Sequence, residues 1–319
     1  MRRHLEEGRE AYERRSWRTA HEALARARAE GPLEPDDLWR FALSSYLIGS
    51  EDDFLSALRE AHQAHVDAGD LEAGARRCFW IGMHLANRAD AAQASGWFQR
   101  AARLVQEAGR DCAERGYLLL PTGQRALGSH DPEAALRAGV EATRIARRFQ
   151  DTDLLALALH LQGRALLRLG RVDEGLGLLD EAMVAVTADE PSPPVTGIVY
   201  CSVIAACREV WAVGRAHEWT DALSTWCERQ PDMVPYTGEC RVYRSEVLRL
   251  RGAWQDALDE ARGATRRFAE GSIPDATGMA LYQQAEVYRL RGEFAAAEEA
   301  YRAASRAGRA PDPGLALLR

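Results

Sequence analysis

The sequence predicts an all-α protein built as a solenoid of helical hairpins. Amphipathic stretches of helical length recur along the whole chain, and a short turn signal joins them in pairs. The clearest pair is the segment 281–305, LYQQAEVYRLRGEFAAAEEAYRAAS. Its apolar and small residues lie three and four positions apart, which places one stripe on each helix. Gly292 ends the first helix of this pair. A length of 319 residues exceeds the usual single-core domain, so the recurring unit favours an elongated array.

The same segment carries a pattern of small and large residues. Ala285, Ala297 and Ala304 alternate with Tyr288 and Tyr301. This pattern resembles a tetratricopeptide repeat (TPR), in which small residues lie where the two helices cross closely. The resemblance implies a TPR solenoid, a right-handed superhelix of about eight helix-turn-helix pairs.

Eight registers of this pattern can be placed along the chain, each with one crossing residue on either helix. They are Gly8/Ala20, Ser45/Ala57, Gly82/Ala94, Gly123/Ala135, Gly163/Gly175, Cys207/Trp219, Ser245/Ala257 and Ala285/Ala297. The crossing residues of the second helices are 37 to 44 positions apart, so the helices or their connections are longer than in a minimal repeat. The sixth register is degenerate, because Trp219 replaces a small crossing residue.

A proline cluster divides the array. The segment 190–194, EPSPP, cannot continue a helix. We therefore predict an N-terminal block of five repeats (1–188), a bend (189–194) and a C-terminal block of three repeats with an incomplete terminal helix (195–319). The apolar start of a further helix at 314–319 suggests a piece of a longer protein, or a homo-oligomer formed through the end helices.

Composition excludes several classes of chemistry. All 41 basic residues are Arg, so a Schiff-base lysine and a Walker-type phosphate loop are absent. The net charge of −7 argues against direct nucleic-acid binding by this segment. The N-terminus has no apolar signal core and no apolar run is long enough for a membrane span, so a cytoplasmic location is expected. The six cysteines show no CxxC spacing and are interpreted as free thiols, mostly buried, with a redox or metal role as the alternative.

Stacked helix pairs leave a concave surface lined by the first helix of each pair. Residues one turn either side of the small crossing residue face inward, which first nominates Trp39 and Tyr46. The same rule gives the candidate groove residues Arg76, Phe79, Met83, Asn87, Tyr117, Gln124, His160, Arg164, Arg168, Arg208, Trp211, Glu246 and Tyr282. Arg and aromatic side chains in the middle of this set suit an anionic or aromatic small ligand, a peptide or a protein. The alternatives are an ordinary solvated inner face and, for Trp211, a place in the core.

No catalytic constellation is visible. His62 and His65 lie three apart, but no Cys or Glu-x-x-His pair accompanies them, so an exposed position is expected rather than a metal site. His84 and His160 stand singly, and no nucleophile, base and orienting group occur together. We therefore expect a non-enzymatic protein with no cofactor and no metal.

Several segments resemble the TPR region of bacterial (actinobacterial-like) LuxR-type transcriptional regulators. They are 179–208 (LDEAMVAVTADEPSPPVTGIVYCSVIAACR), 218–220 with 223–227, 112–121 (CAERGYLLLP) and 292–301 (GEFAAAEEAY). The resemblance implies a non-catalytic sensory or regulatory module, and the family's helix-turn-helix and ATPase motifs are absent from this sequence. Alternatives are a stand-alone accessory protein, or an enzyme with a pocket inside the superhelix near His160 and the cysteines of the sixth repeat.

Overall fold

The computed structural model describes residues 1–230, 232–271 and 274–319. Within these ranges every element of regular secondary structure is a helix. The helices are α1 (Arg2–Glu13), α2 (Trp17–Glu30), α3 (Pro35–Leu47), α4 (Glu51–Asp67), α5 (Leu71–Asn87), α6 (Ala91–Ala108), α7 (Glu114–Gly128), α8 (Pro132–Phe149), α9 (Thr152–Arg168), α10 (Val172–Thr187), α11 (Pro193–Glu209), α12 (Val213–Glu228), α13 (Thr237–Leu250), α14 (Trp254–Gly271), α15 (Pro274–Leu290), α16 (Phe294–Arg306) and α17 (Gly314–Leu318).

Most consecutive helices pack as hairpins, and several first helices also contact the first helix of the next hairpin. The hairpin contacts include α1 with α2, α5 with α6, and α9 with α10; contacts between successive first helices include α5 with α7, α7 with α9, and α13 with α15. This two-layer stacking confirms the predicted TPR-type all-α solenoid.

Each hairpin turn contains one residue in the left-handed region. These residues are Arg15, Gly49, Ala89, His130, Gly170, Trp211, Gly252 and Gly292. Their separations are 34 residues for the first pair and 40 or 41 for every later pair, which defines the true period of the array. Five residues after each turn, the chain buries a residue near the start of the second helix: Ala20, Phe54, Ala94, Ala135, Gly175, Ala216, Ala257 and Ala297.

The turns correct two predicted registers. In the second repeat the turn at Gly49 makes Phe54 the crossing residue, so the prediction at Ala57 was wrong by three positions. In the sixth repeat the turn at Trp211 makes Ala216 the crossing residue, and Trp219 is only half-buried beside it. Both predictions failed because Ala57 and Trp219 each lie three residues, close to one helical turn, after the crossing residue and so fall near the same helix face.

Close helix approach depends on glycine where the sequence predicted it. A Cβ added at Gly82 would lie 2.6 Å from the Phe98 ring, and one at Gly163 would lie 2.7 Å from Leu179. The fourth repeat differs, because a Cβ at Gly123 would meet Leu161 of α9 at 2.5 Å rather than the second helix of its own hairpin. Helices α7 and α9 therefore approach each other so closely at Gly123 that a larger residue would not fit there.

The chain divides into two compact units, Met1–Val199 and Tyr200–Arg319. The boundary lies within α11, whose first residues are Pro193 and Pro194. Proline at the start of a helix lacks only an N–H that has no intrahelical partner there, so the cluster begins a helix. The predicted bend at 189–194 overlaps the first two residues of this helix, and the proposed division into 1–188 and 195–319 stays a prediction. None of the helices in the described ranges has both the length and the apolar character to cross a bilayer.

Candidate functional site

The inner side of the N-terminal unit contains an aromatic pocket, here called the inner pocket. Three neighbouring helices, α3, α4 and α5, form most of it, and the first two turns of α11 complete it. Its lining residues are Trp39, Leu43, Tyr46, Phe54, Trp80, Met83, His84, Asn87, Pro194 and Ile198. The inner pocket has a volume of about 30 Å³, and all the empty space in the depression, open solvent included, amounts to about 380 Å³.

Ring contacts hold the walls of the inner pocket in place. The ring centroids of Tyr46 and Phe54 are 5.1 Å apart, and those of Phe54 and His84 are 5.0 Å apart in an edge arrangement. On the opposite wall, the Trp39 and Trp80 centroids are 6.3 Å apart. Such pairs stabilise a specific ring geometry as well as burying apolar area. The pocket is therefore a pre-formed apolar surface.

The polar groups of the inner pocket lie at its rim. His84 Nε2 is 3.0 Å from Glu51 Oε1, and Arg88 forms an ion pair with the same carboxylate. Asn87 is exposed at the end of α5. An apolar pocket with a few polar rim groups binds an apolar or aromatic group and orients it through the rim.

Hydrogen bonds fix the start of α11 beside the pocket. The Ser192 backbone N–H and hydroxyl donate to the two carboxylate oxygens of Asp153 at 2.6 and 2.8 Å. Burial raises the pKa of this carboxyl group, and the Ser192 donors partly offset the effect. Arg15, in the first hairpin turn, pairs with Asp189 before α11. These contacts position Pro194 and Ile198 as the fourth wall.

A second depression, here called the edge groove, lies where α5, α7 and α9 begin. It has a volume of about 630 Å³ and is lined by Asp70, Glu72, Ala73, Arg76, Arg77, Arg110, Asp111, Cys112, Ala113, Glu114, Phe149, Gln150 and Asp151. A neighbouring depression of about 680 Å³ shares Asp70 and includes Arg9, Asp36, Asp37, Arg40 and His65. Carboxylates at helix starts complement the helix dipole, which explains their concentration here.

Most arginines of this edge are paired internally. Arg76 Nη2 is 2.7 Å from Glu114 and 2.9 Å from Asp151, and its guanidinium lies 4.5 Å above the Tyr117 ring. The Tyr117 hydroxyl donates to Asp151 at 2.9 Å. Burial lowers the pKa of Arg76, but Tyr117, Glu114 and Asp151 outweigh it and the net pKa is raised. Arg76 is thus held as a structural cation.

The predicted groove residues of the N-terminal unit occupy different environments. Met83 and Asn87 line the inner pocket, together with the nominated Trp39 and Tyr46. Phe79 and Tyr117 were predicted to line a groove but are buried against each other, with centroids 5.0 Å apart. His160 is also buried, whereas Arg164 is half-buried and Gln124 and Arg168 are exposed. A binding role for the accessible members stays a prediction.

The remaining predicted residues belong to the C-terminal unit. Arg208 forms an ion pair with Glu246 and lies 5.4 Å from the Tyr243 ring centre, so two predicted groove residues bind each other. Tyr282 packs edge-on against Tyr301 at 5.6 Å. Trp211 is 78% exposed in a hairpin turn, so placing it on the first helix or in the core was wrong.

Sequence reasoning missed Leu43, Phe54, Trp80, His84, Pro194 and Ile198 as pocket residues. Phe54 was hidden by the register error, which the turn signal at Gly49 could have prevented. Trp80 was hidden because its neighbour Phe79 fits the spacing rule better. Pro194 and Ile198 reach the pocket through tertiary packing that no local pattern encodes. Within the described ranges, no cluster of three or more His, Cys, Asp or Glu side chains is arranged to hold a metal ion.

Comparison with known proteins gives no match to a family model. No curated protein sequence matches the chain either.

Solved structures do resemble this fold. A signal transduction ATPase with numerous domains (STAND) protein with a tetratricopeptide repeat sensor, from Pyrococcus horikoshii, matches with a TM-score of 0.52 and 15% identity over 94% of this chain and 45% of that one. A Rap protein complexed with competence and sporulation factor matches with a TM-score of 0.56 and 12% identity over 99% of this chain and 98% of that one. A human IFIT1 dimer with PPP-AAAA matches with a TM-score of 0.51 and 12% identity over 92% and 69%. The chain therefore spans less than half of the STAND protein, and at these identities the likeness establishes a TPR-like helical solenoid.

Proposed function

We propose that this chain is a non-catalytic recognition module whose inner pocket binds an apolar or aromatic side chain of a peptide or protein partner. The observation that carries the proposal is the inner pocket itself, where rings from α3, α4 and α5 meet the start of α11. Its depression accommodates one side chain rather than a large cofactor. A Rap protein with a similar fold has been solved with competence and sporulation factor, which supports partner recognition by such a solenoid.

The chemistry of the pocket supports a binding role. Its one imidazole, His84, already contacts Glu51, and its other lining groups are apolar, phenolic or amide. The alternative of an enzyme with an internal pocket places that pocket near His160. This side chain is buried, and burial with nearby Arg164 lowers its pKa to about 3. A neutral, enclosed imidazole is poorly suited to general acid catalysis near pH 7.

We further infer that the module is the sensory or regulatory part of a cytoplasmic LuxR-type transcriptional regulator. The resemblance of segments 179–208 and 112–121 to that family supports this role, and a similar solenoid is the sensor of a STAND protein. The net charge of −7 favours DNA contact through another part of such a regulator. RNA sequencing of the source organism carrying a chromosomal Ile198→Asp change tests this role. Unchanged transcript levels under all growth conditions would remove it.

Binding is tested by selecting a random 12-residue peptide library on the immobilised 319-residue chain. The expected result is enrichment of sequences that share one aromatic or large aliphatic anchor. Ile198→Asp introduces a charge into the fourth wall and should reduce the affinity of selected peptides at least tenfold, since burying an unpaired charge is costly.

The matched control is Gln106→Asp, which adds the same charge at an exposed site on α6 outside the pocket. Peptides should bind this variant like the wild type. Failure to enrich any anchor motif, or equal binding to Ile198→Asp and wild type, contradicts the proposal.

A further inference from the structure

One arginine of the edge groove differs from its neighbours. Arg77, on α5, is only 8% exposed, and its guanidinium carbon lies 4.1 Å from the centre of the Trp39 ring. A buried guanidinium stacked on tryptophan is oriented before any ligand arrives, which lowers the entropic cost of binding one.

Apart from its stacking on Trp39, Arg77 has no hydrogen-bond or ion-pair partner in the part of the chain that the structure describes. Across the described ranges it donates no hydrogen bond and has no carboxylate within 4.0 Å, and its enclosed Nε is unsatisfied. Arg76 and Arg110, which line the same groove, each bind a carboxylate of the protein. Burial, with a contribution from Arg76, lowers the pKa of Arg77 to about 10, so the side chain is still a cation at neutral pH. A buried cation without a counter-ion is costly and calls for an external acceptor.

Nearby carboxylates influence Arg77 without pairing with it. Those that act on its charge are Asp36, Asp70 and Glu114. Asp70 accepts from the Ala73 N–H at 3.2 Å and lies 3.3 Å from His65. Glu114 is engaged by Arg76. These acids leave the guanidinium free but make the groove unfavourable for a multiply charged anion.

We propose that Arg77 binds a single carboxylate group of a ligand that enters the edge groove. The Nε atom is enclosed, whereas the terminal amino groups retain surface at the groove. Two coplanar amino groups match the two oxygens of a carboxylate. One negative charge balances the cation, whereas a phosphate dianion would add repulsion from the surrounding acids.

This site is distinct from the inner pocket, although the two share a wall. Trp39 lies under Arg77 on one side and 6.3 Å from Trp80 in the inner pocket. The inference stands on the edge groove alone and does not depend on the proposed function.

The test measures binding of sodium acetate to the full 319-residue chain by thermal unfolding and by broadening of the ¹³C-acetate resonance. Sodium chloride and sodium phosphate at the same ionic strength serve as comparison probes. The expected result is that acetate raises the midpoint of unfolding more than either, since a ligand that binds only the native state stabilises it. N-acetyl-diglycine with a free or an amidated terminus then distinguishes a peptide carboxylate from a small free acid.

The decisive variants are Arg77→Gln and Arg110→Gln. Both remove one positive charge from the same groove, but Arg110 is already paired with Glu72. Acetate affinity should fall at least tenfold in Arg77→Gln and no more than about twofold in Arg110→Gln, since exposed charges contribute little.

Arg77→Lys keeps the charge without the planar fork, and its affinity should also fall. If Arg77→Gln fails to fold, Arg77→Lys is compared with Arg110→Gln instead. An acetate effect no larger than that of chloride, or one lost equally in the Arg110 variant, overturns the inference.

Discussion

The inner pocket and the edge groove are built on the same helices but have opposite chemistry. Trp80, Met83 and His84 of α5 line the pocket, whereas Glu72, Arg76 and Arg77 from its first half line the groove. The pocket is lined mainly by aromatic and aliphatic side chains and is small, about 30 Å³, whereas the groove is charged and larger, about 630 Å³. One helix can therefore present an apolar surface toward its second half and an ionic surface at its start.

The comparison also explains the outcomes for the predicted arginines. An arginine near the start of a first helix meets carboxylates at the starts of the following first helices, as Arg76 on α5 meets Glu114 of α7 and Asp151 at α9. The sequence separation of 38 between Arg76 and Glu114 equals that between Glu72 and Arg110. Arginines that form ion pairs with other repeats are thus not available to a ligand, although their position on a single helix suggests that they are. Arg77 forms no such ion pair because its guanidinium stacks on the Trp39 ring.

Breaking the pocket should have the largest effect. Trp80→Ala removes a buried ring that packs edge-on against Phe79 at 5.4 Å, and we expect a loss of about 3–5 kcal/mol in the free energy of unfolding. Urea denaturation measures this loss. Asn87→Ala at the exposed rim should change the same quantity by less than about 0.5 kcal/mol. A loss below about 1 kcal/mol for Trp80→Ala would mean that the pocket wall is not a packed structure.

Removing a carboxylate partner of Arg76 should lower the free energy of unfolding by a smaller amount. Glu114→Gln leaves Arg76 with only Asp151, and we expect about 2–3 kcal/mol of destabilisation because a half-buried cation loses one of its two carboxylate partners. The control Glu72→Gln frees Arg110, which is 72% exposed, and should cost no more than about 1 kcal/mol. Similar costs for the two variants, measured by urea denaturation, would contradict the structural role given to Arg76.

Acid should weaken the N-terminal unit through His160. Its pKa is about 3 in the folded chain against about 6.5 in the unfolded chain, so only the unfolded state gains this proton as the pH falls below 6.5. The stabilisation is complete above pH 6.5 and is lost progressively toward pH 3, about 2 kcal/mol by pH 5. His160→Gln should flatten the dependence of unfolding free energy on pH in this window. An unchanged slope would show that the imidazole is not sealed from protons.

The smallest expected effect concerns the influence of nearby carboxylates on acetate binding at Arg77. Asp36 is exposed and acts on Arg77 only through space, so Asp36→Asn should raise acetate affinity about twofold at low salt. The increase should disappear at high ionic strength, because screening removes the interaction. Acetate titrations at two salt concentrations measure it. A decrease in affinity would indicate that Asp36 helps to hold the ligand.

The sequence predicts the fold well because it depends on local patterns. Glycine at 82 and 163 marks close helix approaches, and Gly292 marks a turn, without any knowledge of tertiary contacts. Turns at Arg15, Ala89, His130 and Trp211 also adopt the left-handed conformation, and non-glycine residues hide that signal. The sites are harder to predict. The pairing of Arg76 with Glu114 and the place of Ile198 in the inner pocket depend on contacts between distant segments.

The most direct test of the central claim follows methyl NMR signals during titration with a peptide selected on the chain. Met83 and Ile198 lie in the inner pocket, whereas Met183 and Ile145 are buried elsewhere in the same unit and serve as internal controls. Recognition by the inner pocket predicts saturable shifts of the Met83 and Ile198 methyl resonances, with Met183 and Ile145 unmoved. Peptide binding that leaves the Met83 and Ile198 resonances unchanged would contradict the account.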